Sequence, residues 1–119
     1  MTTVNNTVTR PNIGTGVAFT WTPLTTANAD GAPTEEFTHA DRRVQVFGTF
    51  GAGGSVTIQG SNDGGTTWNT LTDALGNALV FTSASLKAIT ECTRMLRPFV
   101  TAGDGTTSLT VVMFGRRNA

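Results

Sequence analysis

At 119 residues and 12.4 kDa the chain has room for one two-layer domain and no second core. Eight Lys plus Arg balance eight Asp plus Glu, which excludes the net field that steers a protein onto nucleic acid or an anionic membrane. With 14 Gly, abundant Thr and only 13% charged residues, the composition points to a turn-rich all-β chain, because solvated helix faces would need more Lys and Glu.

Residues 1–16 are Thr, Asn, Gly and Pro with isolated Val and Ile, too little apolar surface to fold alone. They read as an extended arm ordered only by contact, ahead of one β-sandwich domain over residues 17–119. The first six residues lack the basic start and apolar run of a secretory signal, and no stretch approaches the roughly 18 apolar residues of a membrane span, so folding in a cytoplasm is expected.

Alternation begins at Val17, with Phe19 and Trp21 on its face and Ala18, Thr20 and Thr22 on the other, until Pro23 ends the strand or marks an edge. Residues 25–41 form a long connection with a short strand around Phe37, a candidate contact loop. In residues 42–50, Val44 and Val46 share one face while Gln45 and Phe47 share the other. The turn 51–54 then leads to residues 55–60 as the antiparallel partner.

Asn62-Asp63-Gly64-Gly65 is a strong turn, since Asp-Gly tolerates positive φ. Short strands follow at residues 67–71 and 79–82 around a turn at 73–77, and residues 85–91 read as strand rather than helical turn. Residues 95–101 and 109–114 flank a Gly-rich turn and form a last hairpin, with Leu109, Val111 and Met113 on one face. About eight short antiparallel strands with even turns imply a small β-sandwich or jelly roll. Phe47, Phe99 and Phe114 fit a core or a subunit interface equally well.

No constellation carries chemistry. The only histidine, His39, sits in the long loop with no nucleophile elbow in the chain, so it reads as an exposed loop or interface residue and no enzyme is expected. A lone Cys92 cannot form an internal disulfide and reads as a small buried apolar residue. One His and one Cys give no metal site, and no cofactor is expected. Most carboxylates adjoin Gly or Asn in turns, and the 51–54 turn lacks the Lys-Ser or Lys-Thr ending of a phosphate loop. Arg42-Arg43 and Arg116-Arg117 read as solvated strand ends, so neither a nucleic-acid nor a membrane partner is expected.

SNDGGTTW at residues 61–68 matches the Asp-box pattern Ser-x-Asp-x-Gly-x-x-Trp. In proteins that carry it the pattern closes a hairpin, which implies structural turn roles for Ser61, Asp63, Gly65 and Trp68 and no catalytic one. More widely, VQVFGTFGAGGSVTIQGSNDGGTTWNTL followed by TRMLRPFVTAGDGTTSLTVVM, within residues 44–114, resembles small virion proteins of tailed bacteriophages. Those are β-sandwiches, often trimeric, that sit outside the head and tie capsomers together. The resemblance implies a non-enzymatic decoration or cement protein. It would be made in the host bacterial cytoplasm and carried on the capsid exterior of the virion as a homotrimer bound to the major capsid protein.

On that reading the partner contacts are Thr2, Val4, Val8, Arg10 and Ile13 of the arm, with Asp30, Glu35, Phe37 and His39 of the loop. β-Modules of phage necks and tails use similar sequences. The order SNDGGTTW then TRMLRPFV is also similar to discoidin-like carbohydrate-binding modules, as found on host-contacting fibres. Here Met95 replaces that family's aromatic, Tyr is absent, and Trp21 and Trp68 read as core residues rather than sugar platforms.

Overall fold

Alternating apolar residues build two facing antiparallel sheets, seen in a computed structural model that describes residues 3–10, 16–35, 37 and 39–117. Nine strands occur among these residues: β1 (Asn6–Thr9), β2 (Gly16–Leu24), β3 (Asp41–Thr49), β4 (Ser55–Ser61), β5 (Asn69–Thr70), β6 (Val80–Phe81), β7 (Ser85–Ile89), β8 (Met95–Ala102) and β9 (Ser108–Arg116). The five-stranded sheet runs β1-β2-β9-β3-β7. In the other sheet β8 pairs along the length of β4 on one side, so β5 and β6 share its other side end to end. The small all-β sandwich expected from the sequence is the fold.

Register explains the core. Phe19, Met113 and Val44 stand in one cross-strand row and Trp21, Val111 and Val46 in the next, all facing inward. Val56, Ile58, Leu96 and Val100 meet them from the second sheet. Each such side chain contributes about 1.5–3 kcal/mol by leaving water. Pro23 sits where β2 loses its regular register with β9 and beyond the residues that β1 pairs, which is where a strand tolerates a missing N–H.

Two expected hairpins are absent. β3 pairs with β9 and β7, whereas β4 lies in the opposite sheet, so residues 51–54 arch between sheets instead of folding β4 onto β3. The last hairpin fails in the same way: β8 pairs with β4, and β9 sits between β2 and β3. The two arches are held side by side. Asp104 Oδ2 accepts from Ala52 N at 2.8 Å, and Thr107 Oγ1 donates to Phe50 O at 2.7 Å. A Gly-rich turn serves a hairpin or an arch alike, so the turn signal was right and the pairing inferred from it was wrong.

Among the described residues no strand occurs around Phe37; residues 29–35 and Phe37 form a strap between the sheets. On one flank Gly31 N donates to Pro98 O, Thr34 N to Leu96 O and Phe37 N to Arg94 O, which covers the edge of β8. On the other, Val4 N donates to Asp30 O at 2.8 Å and Ala32 N to Val4 O at 2.7 Å. The approach requires Gly31, where a Cβ would lie 2.6 Å from the Pro98 ring. The far side is also closed, by Thr90 N donating to Thr72 O at 3.0 Å, and Lys87 bridges the gap there above the Phe81 ring.

Candidate functional site

The candidate residues fall into three places. The first is the turn joining β4 to β5. Asp63 Oδ1 accepts from Thr66 N at 3.1 Å and Thr67 N at 2.9 Å, and Ser61 Oγ donates to the same oxygen at 2.7 Å while accepting from Gly65 N at 3.0 Å. These bonds, the Thr67 amide foremost, hold the Asp63 carboxyl down at about 2. Trp68 Nε1 donates to Gly65 O at 2.9 Å, closing the turn from below. Trp68 is half-buried at the surface rather than in the core, unlike Trp21, which is fully buried.

Beside this turn lies an open groove of about 420 Å³ bordered by Ser61, Asn62, Asp63, Asn69 and Glu91. Its two carboxylates are already engaged, Asp63 by the turn and Glu91 by Thr72 N and Oγ1 at 2.9 and 2.6 Å. No aromatic ring is among its described lining residues. The groove therefore offers hydroxyls and amides without a stacking platform.

The second place gathers arm and loop. Thr2 and Ile13 lie outside the described residues. Val4 packs against the core between the two bonds of the strap, and Val8 stands on edge strand β1 opposite Phe19, 42% exposed. Asp30 accepts from Thr3 Oγ1 at 3.1 Å and pairs with Arg97 at 3.5 Å.

Arg10, Glu35, Phe37 and His39 converge on one cleft of about 170 Å³. Its floor is Val17, Phe19 and Phe37, and Arg117 completes the rim. The sequence places Phe37 in a short strand of a contact loop and His39 as an exposed loop or interface residue, but both are buried within the chain, 4% and 6% exposed. The reason is packing: the Phe37 ring lies edge-on to Phe19 at 5.1 Å, over Gly115, where a Cβ would come within 2.5 Å of that ring.

Arg42 overturns a second expectation. It is 2% exposed rather than a solvated strand end, with Nε donating to His39 O at 2.7 Å, Nη2 to Phe37 O at 2.5 Å and the guanidinium 4.4 Å from the Phe37 ring centroid. Arg43 and Arg116 are the solvated pair, both bonded to Asp41. Cys92, expected buried, is exposed. The hydrophobic pattern gave no signal for buried Arg42, because a charge at an inward strand position is legible only once its carbonyl acceptors are in place.

The third place was missed as a site: the outer face of the five-stranded sheet. Register puts Thr20, Val112, Gln45 and Leu86 in one outward row, with Thr110 and Phe47 in the next. Phe47 is 42% exposed and Leu86 59%, and Val112 and Phe114 are half-buried. Among the described residues the charges of this face cluster at one end, on Asp41, Arg43 and Arg116. The outward Phe and Leu were visible in the alternation, but which strands lie side by side was not.

Comparison with known proteins returned no match to this chain among family models, curated proteins or solved structures. No group of three or more His, Cys, Asp or Glu suited to a metal ion occurs among the described residues.

Proposed function

We propose that this chain is a non-enzymatic structural protein of a tailed-bacteriophage particle, decorating the capsid exterior and cementing neighbouring copies of the major capsid protein. The observation that carries the reading is the outer face of the five-stranded sheet. A broad surface with Phe47, Leu86 and Val112 in its uncharged rows is the kind of patch that marks protein association. The resemblance of residues 44–114 to small virion proteins supplies the partner, and a trimer is the oligomer that such proteins favour. Val4 and the strap bond each other within the chain, so this sheet face is the better docking surface than the arm.

The test is the copy number in purified particles. Abundance comparable with the major capsid protein supports decoration, a few copies moves the chain to the neck or tail, and absence from particles sinks the proposal. Phe47→Asp and Leu86→Asp should each abolish rebinding to stripped shells while leaving the fold intact.

A further inference from the structure

The cleft bordered by Arg10, Glu35, His39 and Arg117 has an electrostatic imbalance that stands independently of the docking face proposed above. Arg10 and Arg117 rise from its rim, and buried Arg42 lies behind His39. Against these three guanidinium groups the described lining sets one carboxylate, Glu35, whose contact with Arg10 at 3.4 Å joins two exposed side chains and so holds weakly. Among the described residues no carboxylate pairs with Arg42; two backbone carbonyls and the Phe37 face hold it, and its Nη1 is buried with no partner.

His39 lines the same cleft, and its Nδ1 is likewise buried without a hydrogen-bond partner. An apolar floor of Val17, Phe19 and Phe37 strengthens every charge above it by excluding water. Burial, then the fields of Arg117, Arg10 and Arg42, push the imidazole below its ordinary value of 6.5, so at neutral pH the ring is uncharged and keeps one N–H to donate.

We propose that this cleft binds a small oxyanion, a carboxylate or phosphate group, clamped between Arg10 and Arg117 beside the His39 ring that lines it. Guanidinium forks suit planar or tetrahedral oxyanions, and a volume of about 170 Å³ admits one such headgroup but not a large ligand. Glu35 pairs with Arg10 and is displaced on binding.

The only histidine of the chain makes the test clean. In protein labelled with ¹⁵N-histidine, inorganic phosphate and N-acetylglutamate are titrated separately against sodium chloride of matched ionic strength. A saturable shift of the His39 ring nitrogens, with an upward move of its pKa as the anion offsets the arginine fields, is the expected result. A response to both anions supports the shared chemistry. Phosphate alone points to a phosphoryl source, and N-acetylglutamate alone to an acidic side chain. Arg117→Gln should weaken binding roughly tenfold, the scale of one charge-assisted contact, while Arg43→Gln on the outer sheet face changes nothing. No saturable shift, or an equal shift in the Arg10→Gln/Arg117→Gln double variant, overturns the proposal. Both arginines lie at the rim of the cleft, and Trp21 emission reports that the core of each variant is intact.

Discussion

The Arg97 guanidinium lies 4.4 Å from the centroid of the Trp68 ring, so the side chain that closes the 61–68 turn is itself capped by a cation from β8. Gln59 Oε1 accepts from Arg97 Nε at 2.8 Å, which fixes the plane of the stack. Arg97→Ala should therefore cost about 1–2 kcal/mol and red-shift Trp68 emission, read by urea unfolding followed by fluorescence. Arg97→Lys should restore only part, since an ammonium lacks the flat stacking face. An unchanged midpoint in Arg97→Ala would show that the stack contributes nothing to stability.

Acid stability should carry the signature of two turns. Asp63 and Asp104 are both held at about 2 against an ordinary 3.8: Asp63 by the Thr67 amide and Ser61, Asp104 by Thr106 and the Ala52 amide. A depressed carboxylate stabilises the fold above its unfolded value and loses that contribution as protons bind. Stability from this pair should be full above pH 3.8 and fall as pH drops from there towards 2. In Asp63→Asn the fall should be shallower, measured as the denaturation midpoint against pH.

His39 gives a second, separate window with the same direction of loss. Its pKa is lowered in the fold, so below 6.5 the unfolded chain takes up a proton that the native chain resists. The groups facing it are Arg10, Arg42 and Arg117, opposed by Glu35. Stability should be complete above pH 6.5 and decline as pH falls through the lowered native value. His39→Gln should flatten this limb and leave the Asp63 limb unchanged.

Gly115→Ala should destabilise the protein by about 1–3 kcal/mol, the usual range for overpacking, because the added methyl meets the Phe37 ring at 2.5 Å and His39 Cβ at 2.9 Å. Since Phe37 floors the cleft, the same change should alter the His39 ring resonances. A wild-type melting temperature together with unchanged resonances would contradict the packing described.

Removing residues 1–9 should lower the melting temperature and promote concentration-dependent association. The deletion takes away the β1 ladder on β2 and the Val4 bonds to the strap, opening the β2 edge along the four residues Ala18 to Trp21 that β1 pairs. Light scattering and thermal unfolding check both effects. An unaltered melting temperature would mean that β1 adds no stability to the sheet.

Much of the fold was legible because side-chain alternation is local. Val17, Phe19 and Trp21, and Leu109, Val111 and Met113, were placed on inward faces from sequence and are buried there. Neither expected hairpin formed, and for the first a warning stood in the register. A hairpin closed by residues 51–54 sets Phe50 opposite Ser55 and hence Val46 opposite Gln59, which puts Val44 and Val46 on the other face from Val56 and Ile58. An arch between sheets lets both pairs face one core. The cleft was legible only in part: Arg10, Glu35, Phe37 and His39 were singled out one by one, while Arg42 and Arg117 were not linked to them.

The amino-acid pattern by itself determined which apolar residues share a face, as with Val17, Phe19 and Trp21, and where turns fall, because period-two alternation and Asp-Gly turn chemistry act over a few neighbouring residues. Only the tertiary structure decided which strands pair, how residues 29–35 and Phe37 strap the sheets together, and that His39 and Arg42 are buried side by side. Those outcomes depend on backbone acceptors far away in sequence, such as Pro98 O for Gly31 N, and no local pattern encodes a partner 67 residues distant.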